Sequence, residues 1–185
     1  SHLLPHLLPH LLPHLLPHLL RPPLLQPLST IVDRICFGAF YQSGQSCIHL
    51  QRLLVRQDHY DAVVSALVEK TKLLKKGNPL QPDTFVGPLI TESDAVRIEG
   101  WVNDAVAKGG QVLAGGKRYG QVYDATIVAR CDHKCDLWVE EAFAPVVVVE
   151  PYSDFKAAVG AVNAALCSNT RADRRSQLSP PTPHH

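Results

Sequence analysis

Proline at every fourth position from Pro5 to Pro17 limits what the first part of this 185-residue chain can become. The tetrapeptide His-Leu-Leu-Pro runs four times from His2 to Pro17, and His18-Leu19-Leu20-Arg21 follows. Each pyrrolidine ring removes a backbone donor and clashes with the preceding turn, so no helix continues through the tract. Residues 1–28 hold 13 of the leucines and 7 of the 15 prolines, so the overall apolar content overstates what a core can use. The tract is expected to be extended, polyproline-II-like and disordered. It has no basic leader and its apolar stretch is broken throughout, which argues against a signal peptide and a membrane span. Its histidine string fixes no coordination geometry, so no metal is assigned to it. Residues 164–185, rich in Arg and Pro and poor in apolar residues, are expected to form a disordered tail. The chain has no methionine, even at position 1, which leads to the expectation of a fragment.

Residues 29–163 are left as the part that can fold. They carry 14 Lys and Arg against 16 Asp and Glu, and the whole chain is at +1, a balance that argues against nucleic-acid binding. Ser29 or Thr30 is expected to cap a helix to about Tyr41, with Ile31, Ile35 and Phe37–Phe40 as its apolar face. Gly44 breaks it. Residues 50–56 read as a strand. Asp58 is expected to cap a helix over 59–76, with Tyr60, Val63, Val64, Leu67, Thr71 and Leu74 on one face. Lys70, Lys72, Lys75 and Lys76 near its end read as a solvated terminus. Thr91 and Asp94 resemble a capping box opening a helix over 92–108, with Ala95, Ile98, Val102, Ala105 and Val106 inward. Strands are expected at 111–114, at 126–129 and at 145–150, where four consecutive valines mark burial on both faces. Ser153 is expected to cap a last helix through Val162, with Phe155, Val159 and Val162 inward. Strands alternating with helices predict an α/β domain with a mostly parallel sheet and flanking helices.

The segment Phe40-Tyr41-Gln42-Ser43-Gly44-Gln45-Ser46-Cys47-Ile48-His49 carries the chemistry. A glycine three residues before a cysteine lets the backbone turn and bring N–H donors near the thiol. Such donors stabilise a thiolate and an adjacent oxyanion. Spacing alone does not separate a nucleophile from a buried structural cysteine.

Five ordered motifs give the segment a context. Gly44-Gln45-Ser46-Cys47 resembles the active-site cysteine motif of the NAD(P)-dependent aldehyde dehydrogenase superfamily. Gln51-Arg52-Leu53-Leu54-Val55 is similar to the strand after the nucleophile. Gly77-Asn78-Pro79-Leu80 with Val86-Gly87-Pro88-Leu89-Ile90, and Gly109-Gly110 through Gly115-Gly116-Lys117-Arg118, are similar to the turns that follow. Glu140-Glu141-Ala142-Phe143-Ala144-Pro145-Val146 resembles the family's Glu-Glu-x-Phe-Gly-Pro-Val. The resemblance covers about residues 29–163. It implies a partial catalytic domain, an aldehyde as substrate, NAD or NADP as cofactor and a homo-oligomeric parent. It implies Cys47 as nucleophile through a thiohemiacetal and a thioester, with its backbone N–H as an oxyanion donor. Glu141 would then bind a cofactor ribose and Phe143 would contact the nicotinamide end.

Departures from the family pattern set a second reading beside the first. Ala144 stands where the family has Gly, which restricts φ beside the cofactor, and Ala125 stands where Pro is usual. The family's dinucleotide-binding domain, its general-base Glu in a Glu-Leu-Gly-Gly context and the Asn of its oxyanion hole precede the cysteine segment, where this chain has the His-Leu-Leu-Pro tract. The family's oligomerisation strand, which follows the matched region, has no counterpart. The alternative is therefore a catalytically silent fragment, from a pseudogene or a frameshifted gene model, and a third reading is residual thiol chemistry at Cys47 such as slow ester cleavage. Cys131-Asp132-His133-Lys134-Cys135 offers three zinc-type side chains but no second pair, so a surface loop is expected and no metal site is assigned. Cys36 is read as a core residue. An odd set of five cysteines without evident pairing fits a reducing cytoplasm.

Overall fold

The computed structural model of the chain describes residues 26–168. The readings of the His-Leu-Leu-Pro tract before Gln26 and of residues 169–185 lie outside them. The element order is α1 (Leu28–Phe40), a 3-10 turn (Tyr41–Gly44), β1 (Arg52–Arg56), α2 (Gln57–Lys72), α3 (Glu92–Ala107), β2 (Gln111–Ala114), β3 (Arg118–Tyr119), β4 (Val122–Tyr123), β5 (Thr126–Ala129), α4 (Asp136–Val139), β6 (Val146–Tyr152) and α5 (Phe155–Ser168).

Four strands form one sheet in the order β1-β6-β5-β2. β6 runs parallel to β1 and to β5, and β2 closes the far edge antiparallel to β5. The valine run explains the centre. Val146, Val147, Val148 and Val149 are all fully buried, and successive side chains point to opposite faces. Val146 and Val148 join Val128 against α3, α4 and α5, through Ala95, Ile98, Val102, Leu137, Trp138 and Ala165. Val147 and Val149 join Ile127 and Ala129 against α1 and α2, through Val32, Cys36, Phe40 and Leu67. Each such side chain contributes about 1.5–3 kcal/mol relative to exposure. β3 and β4 form a separate two-stranded hairpin that the sequence pattern did not predict.

Local signals differ in how they work out. Thr91 caps α3 as expected: its Oγ1 accepts from the Asp94 amide at 3.1 Å and donates to the Asp94 carboxylate at 2.6 Å. α1 instead starts after Pro27 with no side-chain cap, and Ser29 and Thr30 lie inside it. Its buried face is Val32, Cys36, Ala39 and Phe40, and Phe37 sits outside, stacked on Tyr41. Asp58 is not a cap. It lies in the first turn of α2 and pairs with Arg56 at 2.9 Å. α2 ends at Lys72 rather than at 76, because Lys75 and Lys76 turn to pair with Phe85 and Val86. The lysines at 70–76 are spread among separate carboxylates, with Lys70 on Asp33, Lys72 on Glu69, Lys75 on Asp83 and Lys76 on Asp124.

At the other end, Asp154 rather than Ser153 caps α5, its Oδ1 accepting from the Lys156 amide at 2.8 Å. α5 runs to Ser168, past the boundary expected at 163, so residues 164–168 are helical. Phe155 and Val159 face outward, whereas Ala158 and Ala165 are buried. Val106 of α3 is likewise exposed. The 131–135 segment is a surface loop as expected, with Asp132, His133 and Lys134 exposed, but Cys131 and Cys135 at its two ends are buried, and His133 stacks on Trp138 at 3.8 Å. Cys36 is a core residue, 2% exposed.

Candidate active site

The turn after α1 builds the site. Gln42, Ser43 and Gly44 follow one another at φ 51°, 57° and 68°, so the chain reverses sharply through left-handed backbone. Side chains hold the reversal. Ser43 Oγ accepts from the Gly87 amide at 2.9 Å and donates to the Gly87 carbonyl at 3.2 Å. Gln45 donates to the Pro88 carbonyl at 3.2 Å and accepts from the Ile90 amide at 3.0 Å. These bonds seat the loop at 86–90 under the turn.

Ser46 to His49 then forms a second turn, closed by the His49 amide donating to the Ser46 carbonyl at 3.1 Å. Cys47 and Ile48 are its central residues and both are exposed. Leu50 donates to the Gly38 carbonyl at 2.8 Å, which returns the chain to the domain and starts β1. The cysteine is thus carried on a tight projection whose two ends are bonded to the scaffold.

A cleft of about 300 Å³ opens beside this projection, lined by Cys47, His49, Gln51, Arg52, Glu141 and parts of Leu50 and Val162. The structure therefore brings two of the expected residues, Cys47 and Glu141, to one cavity. Phe143 does not line it. It follows Glu141 by two residues at φ 46°, a strained conformation for an aromatic residue, and is 37% exposed. The restriction foreseen at Ala144 falls instead on Phe143, since Ala144 is outside the left-handed region and fully buried.

Sequence reasoning assigned no role to His49, Gln51 or Arg52. His49 Nε2 lies 3.2 Å from the Val146 carbonyl, which can only accept, so Nε2 carries the hydrogen. Burial lowers the His49 pKa, against the opposing pull of that carbonyl and of Glu141. The Arg52 guanidinium donates to the carbonyls of Trp138 and Glu140 and lies over the Trp138 ring. Burial lowers its pKa, and nearby Glu141 acts in the opposite sense. Neutral His49, cationic Arg52 and the Glu141 carboxylate give the cleft mixed polarity around one exposed thiol.

The sequence profile described as the aldehyde dehydrogenase family matches residues 27–170. The chain belongs to this family. Aspartate-semialdehyde dehydrogenase 1 of Pseudomonas canavaninivorans is 40% identical over 136 residues, which is 74% of this chain and 29% of that protein. A 3-sulfolactaldehyde dehydrogenase of Priestia aryabhattai is 37% identical over 125 residues, 68% of this chain and 26% of that one. Among solved structures, aldehyde dehydrogenase 21 of Physcomitrella patens, in complex with the reaction product succinate, superposes with a TM-score of 0.71 at 47% identity. That match covers 73% of this chain and 28% of the other. A glyceraldehyde-3-phosphate dehydrogenase of Methanocaldococcus jannaschii complexed with NADP gives 0.70 at 34% identity, covering 74% and 30%. The chain spans less than a third of the length of these aldehyde dehydrogenases.

Proposed function

We propose that this chain is the nucleophile-bearing part of an NAD(P)-dependent aldehyde dehydrogenase that oxidises an aldehyde to a carboxylic acid, with Cys47 as the nucleophile. The observation that carries the reading is the exposed Cys47 on a braced turn, sharing one cleft with Glu141. The Cys47 sulfur adds to the aldehyde carbon, and the carbonyl π pair moves to oxygen. The product is a thiohemiacetal bonded to the protein. A nicotinamide dinucleotide, when bound, would accept a hydride from that adduct, which would leave a thioester on Cys47. Water then cleaves the carbon–sulfur bond, releasing the acid and restoring the Cys47 thiol.

The residues present fit one end of such a cofactor. Glu141 offers a carboxylate that accepts from ribose hydroxyls, and Phe143, 37% exposed, stands two residues on. The phosphates find no counterpart among the described residues. β1 passes into α2, β5 into α4 and β6 into α5 without a glycine-rich turn. The reading includes a cytoplasmic setting, supported by the buried free thiols of Cys36, Cys131 and Cys135. Among the described residues no helix is long and apolar enough to cross a membrane.

The test separates the nucleophile from the rest. The chain is treated with p-nitrophenyl acetate, a cofactor-free acyl donor, and acetylated peptides are mapped by mass. One acetyl group on Cys47, slowed by an added aldehyde and absent in Cys47→Ala, is the expected result. Acetylation confined to other side chains overturns the reading.

A further inference from the structure

Gln51 is a buried amide, 6% exposed, four residues past Cys47. Its Nε2 donates to the Leu137 carbonyl at 3.0 Å and to the Glu140 carbonyl at 2.7 Å. Its Oε1 accepts from the Ala142 amide at 2.9 Å. Two of these partners, the Glu140 carbonyl and the Ala142 N–H, belong to the peptide groups on either side of Glu141. The backbone of Gln51 is fixed in turn, its carbonyl accepting from the Val148 amide at 2.8 Å in the sheet. Arg97 of α3 donates to the Ala142 carbonyl at 3.0 Å, so both polar groups of Ala142 are held. One side chain thus ties the strand that follows the nucleophile to the segment that carries Glu141.

We propose that Gln51 is the positioning residue for Glu141, fixing the peptide groups that flank it and so holding its carboxylate in the Cys47 cleft. The role gains its catalytic meaning from the function proposed above, while the clamp itself is a property of the folded chain. Leaving a buried donor or acceptor unpaired is costly, so removing the Gln51 amide releases the 140–142 backbone locally. His49 reports where the Glu141 carboxylate is. The groups that share its cleft are Glu141, Arg52 and Cys47, and of these the Glu141 charge raises its pKa and the Arg52 charge lowers it.

The experiment compares the full chain with Gln51→Leu by amide hydrogen exchange and by NMR titration of His49. In Gln51→Leu the Ala142 amide exchanges roughly tenfold faster, while the Val148 amide in the sheet is unchanged. In the parent chain Glu141→Gln lowers the His49 midpoint. In the Gln51→Leu background the same change moves that midpoint by less than roughly half as far. Equal acceleration of Ala142 and Val148 assigns Gln51 to general stability and overturns the proposal. So does an unchanged Ala142 rate, or a full Glu141→Gln shift in both backgrounds. Should Gln51→Leu fail to fold, Gln51→Met is read by the same criteria. These outcomes are independent of Cys47 acetylation, so failure of the proposed chemistry and failure of the clamp are told apart.

Discussion

A β-carbon on Gly44 would lie 2.0 Å from the carbonyl oxygen of Ala144. The turn that presents Cys47 is therefore pressed directly onto the backbone that follows Glu141 and Phe143, with no room for a side chain between them. Gly44 also sits at φ 68°, where an L side chain is strained. One glycine thus satisfies two requirements at the junction of the two halves of the site.

Gly44→Ala is expected to destabilise the fold by about 2–4 kcal/mol, combining left-handed strain with a clash against backbone that cannot rotate away. Urea unfolding followed by circular dichroism measures it. A change below about 0.5 kcal/mol would mean that the two segments are not in contact in solution.

Cys36, Cys47, Cys131 and Cys135 are expected to differ in reactivity. Cys47 is exposed, whereas Cys36, Cys131 and Cys135 are buried. Burial raises the pKa of all three, and Cys131 is pushed up to about 12. Burial thus holds Cys131 in its unreactive thiol form at pH 7. Sub-stoichiometric iodoacetamide followed by peptide mass mapping should label Cys47 first. Earlier labelling of Cys131 or Cys135 would contradict the packing around α4.

What the sequence disclosed depended on how local the determining contact is. The β6 core was legible because four adjacent valines leave no polar face, and the α3 start because Thr91 and Asp94 are three residues apart. The caps expected at Ser29 and Asp58 failed because those helices begin one or two residues earlier with no side-chain cap, and Ser153 gave way to the adjacent Asp154 carboxylate. The two-residue strands β3 and β4 and the single-turn α4 carry too few residues to show a period. Cys47, Glu141 and Phe143 were reached through family resemblance. His49, Gln51 and Arg52 were given no role because their partners lie 86–97 residues away, a relationship that no local pattern encodes.

Stability should fall on acidification below about pH 6.5. Burial lowers the pKa of both His49 and His133 from an ordinary value of 6.5. The unfolded chain therefore takes up protons first as the pH drops, and unfolding is favoured until the folded-state values are also passed. Glu150 acts in the opposite sense. Burial raises its pKa above 4.5, so its contribution is present at low pH and fades as the pH rises through its folded value. Urea midpoints across pH 5 to 8 for the parent chain and for His49→Gln/His133→Gln should show a shallower slope in the double variant. Identical slopes would mean that the fold does not hold either imidazole in its neutral form.

The 185-residue polypeptide by itself is expected to form the Cys47 acyl adduct yet to produce no reduced nicotinamide cofactor from aldehydes. The proposed oxidation needs a nucleophile, a dinucleotide held in line with the adduct and a base for hydrolysis. In the proposed reading Cys47 would meet the first need, and Glu141 with Phe143 would meet a fraction of the second. A dinucleotide is ordinarily seated with its phosphates at the N-terminus of a helix that follows a glycine-rich turn. Here β1 enters α2 straight through Arg56 and Gln57, and β6 reaches α5 through Ser153 and Asp154. Losing the orientation of two reactants removes about 7–11 kcal/mol of barrier lowering. The check follows absorbance of the reduced cofactor with NAD and with NADP over a panel of short aldehydes, with Cys47→Ala as blank. Sustained, Cys47-dependent reduction would show that the 300 Å³ cleft beside Glu141 seats the dinucleotide without a phosphate-binding turn.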